Sequence, residues 1–401
     1  MSRRAVALLV AVVLSCAPPV TIVSPSPSPS ESAAATTSPT PSPGTTPTAS
    51  PSATPGGRVV VKAVSAIPAD HTYVLTGNTG AERVLLIDLP AKRSTEVVRF
   101  ERDVGGSRSV SLTESADGKT LAILERSDTT VLLHVVRPVV GELRTIGLPQ
   151  GVDTVLISPD GSRVAIARTS SDLALNGVWL VPADVDGSPQ VRLVVERPDW
   201  VGTPPKPRAW SSDGRWLAVY ATVGTGVTEI AAIDTQGGTT TFDPTTDRFA
   251  GGEVRQVGPG VDAEWSAGEL LYWQSRTSAG GRALVSLYSL ATRSSTLLYE
   301  APADQNVADA ARRPGTHDIV VATVPLAASG LPPRTLIFLE GGGAPRAMRA
   351  LSFLIRMWWS PDGLRLYART GGDDSTGTIT DVYGTWGTMS FCHRGDGPPC
   401  P

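Results

Sequence analysis

A short corner recurs along this chain, and its recurrence limits the possible folds more than any other feature. Trp359-Ser360-Pro361-Asp362-Gly363 runs into Leu364-Arg365-Leu366-Tyr367-Ala368. Ser158-Pro159-Asp160-Gly161 precedes Arg163-Val164-Ala165-Ile166-Ala167, and Trp210-Ser211-Ser212-Asp213-Gly214 precedes Trp216-Leu217-Ala218-Val219-Tyr220. Ser115-Ala116-Asp117-Gly118 precedes Thr120-Leu121-Ala122-Ile123-Leu124. Asp-Gly makes a tight turn in which Gly takes φ > 0. The aliphatic and β-branched run after it reads as a strand.

Spacing turns the corner into an architecture. Asp117 to Asp160 is 43 residues and Asp160 to Asp213 is 53, while Asp213 to Asp362 is 149, room for two degenerate copies. These stand at Trp265-Ser266-Ala267-Gly268 before Leu270-Leu271-Tyr272-Trp273, and at Arg313-Pro314-Gly315 before Asp318-Ile319-Val320-Val321-Ala322. A further copy is expected at Pro68-Ala69-Asp70 before Tyr73-Val74-Leu75. Several short strands per period of roughly 40–55 residues is the pattern of a β-propeller, one four-stranded blade per repeat. The expectation is an all-β propeller of seven blades, with six as the alternative and coincidental turns in a β-sandwich as the competing fold. No long 3.6-residue apolar pattern follows Arg58, so almost no helix is expected.

One unit can be read strand by strand. Thr154–Ile157 is the inner strand, Arg163–Ala167 the second, Val178–Val181 the third and Val191–Val195 the outer one. Ala283–Leu290 and Thr335–Leu339 fit as third strands elsewhere. Ring closure is open to several solutions. Val59–Val64 fits the outer strand of the last blade, the inner strand of the first, or a strand bending between the two. Thr378–Phe391 is able to complete the last blade alone.

The start of the chain is not fold. Arg3 and Arg4 form a basic n-region, and Ala5–Leu14 is too short to anchor in a bilayer. Residues 17–57 are almost entirely Pro, Ser, Thr and Ala with Glu31 as the one charge, a composition unable to bury enough apolar surface to order itself. At about 3.1 Å per residue such a spacer reaches roughly 130 Å when fully stretched. Its Ser/Thr density also permits O-glycosylation. The globular composition begins at Arg58 and runs to the end, giving a leader at 1–16, a disordered linker at 17–57 and a propeller with a short tail at 58–401.

The formal charge is −3, and without Arg3 and Arg4 the 33 remaining basic residues face 38 acidic ones. That balance argues against a nucleic-acid partner, which needs a basic patch. Cys392 and Cys400 form a tail pair that an oxidising compartment allows to close as a disulfide. The alternative, a metal held by both and His393, lacks a fourth ligand. Arg394-Gly395-Asp396 in that tail reads as chance.

Motifs that carry chemistry are missing from the sequence. There is no Gly-x-Ser-x-Gly elbow, His-Glu-x-x-His or Cys-x-x-Cys, and no Gly-rich phosphate loop before a helix. His71, His134, His317 and His393 are scattered over different units. Asp184-Val185-Asp186-Gly187 is half of a calcium loop and reads better as a turn. No cofactor or metal is expected. The binding candidates come from propeller geometry: Asp153, Arg208, Asp262, Asp309 and Arg356 lie near inner-strand starts, with Trp200 and Phe249 in long loops. These are expected to line a polar pocket or partner surface at the channel mouth, against the plainer reading of a hydrated channel wall. Trp210, Trp265, Trp358 and Trp359, just before the corners, read as blade packing.

Two resemblances add to this. Val13-Leu14-Ser15-Cys16 resembles the bacterial lipobox, with Leu14 where a smaller residue is usual; the resemblance implies a Cys16 that is acylated and holds the mature chain to the bilayer. An ordinary secretory signal is the alternative. The Ser-Pro-Asp-Gly corners and their following strands resemble the repeat of TolB-like and WD-repeat-like bacterial propellers over roughly Ser65–Tyr383. With lipobox and spacer, the chain is also similar to propeller lipoproteins of high-GC Gram-positive bacteria. Such a motif speaks for fold and hardly for function. The resemblance implies a monomeric, non-catalytic binding platform outside the cytoplasm, with an envelope protein or cell-wall polymer as partner. The alternative is a propeller enzyme of lyase or lactonase type acting on a small or carbohydrate substrate.

Overall fold

The computed structural model describes residues 58–392 apart from 78–80, 102–107, 170–175, 185–191, 197–202, 223–227, 244, 267, 277–280, 327–331 and 372–375. The leader, the linker, Cys16, Trp200 and Cys400 lie outside these residues. The described residues form thirty strands and no helix.

The first sheet holds β1 (Arg58–Val61), β2 (His71–Thr76), β3 (Arg83–Asp88) and β4 (Arg93–Glu101) in the order β1-β4-β3-β2. The second is a meander of β5 (Arg108–Glu114), β6 (Leu121–Ser127), β7 (Val131–Arg137) and β8 (Glu142–Leu148). The third runs β9 (Val152–Ile157), β10 (Arg163–Arg168), β11 (Gly177–Pro182) and β12 (Arg192–Glu196). The fourth begins with β13 (Thr203–Trp210), β14 (Trp216–Thr222) and β15 (Thr228–Asp234). Its chain then makes a hairpin, β16 (Thr240–Asp243) and β17 (Arg248–Ala250), before closing with β18 (Val254–Pro259). That hairpin joins the third sheet, β16 lying parallel to β12, so this sheet has six strands. The fifth comprises β19 (Asp262–Ser266), β20 (Glu269–Gln274), β21 (Leu284–Ser289) and β22 (Ser294–Glu300). The sixth has β23 (Gln305–Arg312), β24 (Ile319–Pro325), β25 (Arg334–Leu339) and β26 (Arg346–Leu351). The seventh has β27 (Leu354–Trp359), β28 (Leu366–Gly371), β29 (Thr376–Asp381) and β30 (Thr388–Cys392).

Each neighbouring pair of sheets encloses its own apolar layer. Val155 and Ile166 of the third sheet pack on Leu133 and Val135 of the second, and Leu217 of the fourth packs on Val178 of the third. The last layer joins the ends of the chain, with Val74, Ile87 and Leu89 against Tyr367, Ile379 and Phe391. The chain is a seven-bladed β-propeller.

The corners explain why the sheets begin where they do. In all four Asp-Gly copies the serine hydroxyl donates to the aspartate, at 2.8, 2.5, 2.6 and 2.5 Å for Ser115, Ser158, Ser211 and Ser360. The aspartate accepts the amide two residues on, and the serine oxygen accepts the amide that opens the second strand. The glycines sit at φ 66–69°, which a side chain disfavours. The Ser211 hydroxyl and the Arg215 amide hold the Asp213 carboxyl below its ordinary pKa, and Ser360 with the Leu364 amide does the same for Asp362. The tryptophans ahead of the corners tie blades together. Trp210 Nε1 donates to the Leu156 carbonyl and Trp265 Nε1 to the Ala209 carbonyl, each at 3.1 Å across one blade boundary.

The first blade departs from the others. In four of the other six sheets a bulge falls early in the third strand where it meets the fourth, as between Val178 and Trp179 or Ile230 and Ala231. In the first sheet it falls between Val84 and Leu85, where β3 meets β4. Strands β2, β3 and β4 therefore occupy the second, third and outer positions. β1 pairs outside β4, a placement different from all three expected for Val59–Val64. The Lys62 amide donating to the Val97 carbonyl, and a Lys62–Glu96 ion pair at 2.6 Å, hold it there. Seven sheets thus surround an axis lined, among the described residues, by six inner strands, β5, β9, β13, β19, β23 and β27. The Pro68-Ala69-Asp70 copy precedes a second-position strand as expected, with Asp70 reaching instead to Tyr367 of the seventh sheet at 2.7 Å. Among the described residues, no strand is shared between first and last sheets. Closure rests on that bond, on Trp386 Nε1 donating to the Leu89 carbonyl at 2.6 Å, and on the apolar layer.

Candidate functional site: the central channel

Inner strands alternate their side chains, so every second residue faces the axis. On β19 that brings Asp262 and Glu264 to one side; β23 supplies Asp309, β13 Arg208 and β27 Arg356. They line one cavity of about 880 Å³ together with Glu114 of β5, Arg369 of β28 and Tyr73 and Leu75 of β2.

The geometry ties several of these groups to the framework. Asp309 accepts the amide of Met357 across a blade boundary at 3.1 Å and that of Ala310 at 2.9 Å. Asp262 accepts the Ala263 amide at 2.9 Å and faces Arg208 Nε at 3.8 Å, while the Arg208 guanidinium lies 4.1 Å from the centre of the Tyr220 ring. Arg356 acts on several of the acids at once, opposing the rise in pKa of Glu114, Asp262, Glu264 and Asp309. Burial, opposed by Arg356 and reinforced by Asp309 and Asp262, lifts Glu264 from an ordinary 4.5 to about 8. Burial lifts Asp309 to about 7 against the Met357 amide, and Glu114 to about 7 against Arg356 and the Tyr73 amide. Near neutral pH the channel therefore holds protons on groups that water would strip.

A pH dependence follows. A carboxyl with a raised native pKa stabilises the fold below its unfolded value and loses that contribution as pH rises through the native one. For Glu264 the window runs from about 4.5 to about 8. Glu264→Gln is expected to flatten the fall of the urea midpoint across that window. An unchanged pH profile would show that Glu264 ionises freely in the channel. The corner aspartates act in the opposite sense, their contribution vanishing as pH drops below the ordinary carboxylate range.

Of the residues singled out in sequence, Arg208, Asp262, Asp309 and Arg356 share the cavity. Asp153 stands apart from its lining, in an ion pair with Lys206 Nζ at 2.7 Å. Phe249 is not at the mouth: it lies in β17 at 2 % exposure, its ring 4.9 Å from that of Phe242, packed between the third and fourth blades. The long loop expected around Phe249 contains that strand and, after it, β18. His134 is buried and bonded to Glu125. Glu264, Glu114 and Arg369 were not foreseen. Glu264 had a signal in Asp262-x-Glu264 on one inner strand; Glu114 stands where other blades carry Trp210, Trp265 and Trp359. Among the described residues no three His, Cys, Asp or Glu side chains converge as a metal-binding group. Cys392 ends β30.

No protein-family profile matches the chain, and no curated protein matches its sequence. Solved structures do. A prolyl endopeptidase is similar at TM-score 0.56 and 12 % identity, over 84 % of this chain and 50 % of that one. TolB from Acinetobacter baumannii is similar at TM-score 0.42 and 13 % identity, over 80 % and 78 %. An oligogalacturonate lyase in complex with manganese is similar at TM-score 0.47 and 10 % identity, over 82 % and 83 %. The chain spans half the length of the prolyl endopeptidase chain. At these identities the shared property is the propeller fold.

Proposed function

We propose that this protein is a non-catalytic binding platform, held outside the cytoplasm by acylated Cys16 and the 17–57 spacer, that receives an envelope protein partner at the channel. A cell-wall polymer would meet the same polar lining. The observation that carries the reading is the commitment of the channel acids. Asp309 and Asp262 already accept backbone amides, and Glu264 faces Arg356, so the lining is a fixed polar surface. Fixed polar groups around an open cavity suit recognition, since their ordering cost is met during folding. Placing a photo-cross-linker at exposed Ile355, beside the channel, is expected to yield a discrete adduct in intact cells. The same group at exposed Leu297, on an outer strand, is expected to yield none, and Arg356→Ala to weaken the Ile355 adduct. Equal adducts at both sites would remove the channel from the reading.

One observation favours the second reading. Two carboxyls that keep protons near neutrality, Glu264 and Asp309, in one cavity are a pair able to act as general acids in lyase-type chemistry. Turnover of a carbohydrate or lactone by purified protein, abolished in Glu264→Gln, would replace the platform by an enzyme.

The anchor has its own test. Labelling cells with a radioactive fatty acid is expected to mark the wild-type protein and leave Cys16→Ser unmarked and released from the membrane fraction. Label retained in that variant, or absent from both, would overturn the anchor. The propeller is expected to elute as a monomer in gel filtration.

A further inference from the structure

Among the described residues, the first blade has no strand at a place in the channel wall that the other six fill. In those sheets the second strand is covered by an inner strand paired antiparallel to it; β2, at the same position, ends its sheet. Its free edge can be assigned. Because the Asp70 carbonyl accepts the Leu89 amide, residues 72, 74 and 76 exchange bonds with β3, and His71, Tyr73 and Leu75 turn their backbone groups away from it. The Tyr73 amide, on that outward side, is one of the groups that oppose the rise of the Glu114 pKa. Beyond it, the Tyr73 carbonyl and both backbone groups of Leu75 have no hydrogen-bond partner among the described residues. Tyr73 and Leu75 both line the 880 Å³ cavity. An exposed strand edge is a template for another strand.

The two flanks of the gap differ in charge. On the seventh-blade side stands Arg369, opposite Arg356 in the β27–β28 ladder. Its Nε is buried without a hydrogen-bond partner among the described residues, and its guanidinium lies over the Phe391 ring at 5.6 Å. Arg356 is surrounded by Glu264, Asp309, Asp262 and Glu114, whereas Arg369 meets burial and the like charge of Arg356. On the second-blade side stands Glu114, an acid where three other blades carry a tryptophan. The chain's own candidate for this place, Val59–Val64, is held at the far edge of the sheet by the β1–β4 ladder.

We propose that the innermost position of the first blade, which no strand of the described residues fills, is a slot for an extended peptide strand of a protein partner, which adds antiparallel to the inner edge of β2 and presents an acidic side chain to Arg369. Main-chain bonds to Leu75 and Tyr73 supply general affinity, and the carboxylate fixes the register. The slot rests on the platform reading and names the form of its partner.

The test uses the full chain and two capped heptapeptides, Thr-Val-Glu-Val-Glu-Val-Thr and its counterpart with both Glu replaced by Lys. The acidic peptide is expected to slow amide exchange over residues 71–76 by about tenfold at saturation, and to bind about tenfold more tightly than the lysine peptide. Arg369→Gln is expected to erase that preference while leaving exchange elsewhere unchanged. No protection of residues 71–76 at millimolar acidic peptide would overturn the slot. So would equal binding of both peptides by the wild type. A channel-specific adduct at Ile355 alongside either negative result would remove the slot and leave the platform standing. Loss of that adduct's site specificity would remove the platform itself.

Discussion

Replacing Glu125 by leucine is expected to destabilise the propeller by about 3–5 kcal/mol, the cost of leaving a buried charge unpaired. Glu125 is 2 % exposed and stands between two cationic or protonatable groups. His134 lies 2.8 Å from one of its oxygens and Arg108 Nε lies 3.2 Å from the other. Arg108 also faces Glu82 at 3.3 Å and rests over the Phe100 ring at 4.9 Å, so the cluster joins the first blade to the second. The Arg108 contacts have ion-pair distances without hydrogen-bond angles, so it is the charge on Glu125 that matters most to them. Removing it strands Arg108 on Glu82 alone and takes the partner from His134, whose other nitrogen is satisfied by Thr145 at 3.0 Å. Glu125→Gln keeps the shape and one acceptor, and is expected to cost less than the leucine variant. Glu142→Gln is the control: its ion pairs with Arg137 and Arg144 are about a third exposed, and such pairs contribute about 0–1 kcal/mol. Urea midpoints of the three variants check the ranking, and a leucine variant as stable as Glu142→Gln would show that the buried cluster contributes nothing net.

How much of this was legible in the chain depends on how far each feature reaches. The Asp-Gly corners are closed by bonds spanning two to five residues, so their chemistry is written locally and the blades could be counted from them. The place of β1 is decided at long range. Arg58–Val61 is an apolar run that suits any edge, and only the Lys62–Glu96 pair and the Lys62 amide to Val97 select the outside of β4. The β16–β17 hairpin was hidden for a related reason. Phe242 and Phe249 look like loop residues until the third and fourth blades meet around them. In the channel, Asp262 was accessible from its place at the start of β19, whereas Asp309, expected near such a start, stands in the middle of β23 and still lines the cavity. Arg369 was not accessible, because it stands on a second strand, β28, and its place in the cavity depends on how the seventh blade meets the first.

That last relation links the fold to the proposed function. A propeller normally hides its second strands, and its channel offers side chains alone. Here the N-terminal strand sits on the outside of the first blade, and the channel gains backbone groups of β2 as well as the charge of Arg369. Glu114 lines the same cavity, and burial lifts its pKa to about 7 against Arg356 and the Tyr73 amide. Raising pH through that value charges the group that guards the slot, so acidic-strand binding is expected to weaken toward alkaline pH.

The corners themselves predict a graded result that tests the repeat directly. Gly118→Ala is expected to be among the most damaging single-methyl changes in the chain, at about 2–5 kcal/mol, whereas Gly315→Ala is expected to cost about 1–2 kcal/mol. Both glycines hold nearly the same conformation, φ 66° and 70°, so the penalty of a left-handed alanine is common to the two. What differs is the space beyond. A Cβ on Gly118 would lie 2.0 Å from His71 Nε2, whereas one on Gly315 meets nothing within 4 Å. The imidazole is 11 % exposed, lies 3.7 Å from Glu114 and packs edge-on to Tyr73 at 5.6 Å, so it can retreat only by disturbing the edge of the vacant position. The damage is therefore expected to spread to the first blade: Gly118→Ala should raise amide exchange over residues 71–76, and Gly315→Ala should not. Equal urea midpoints for the two variants would mean that the conformational term decides both, and that His71 does not hold the corner of the second blade against the first.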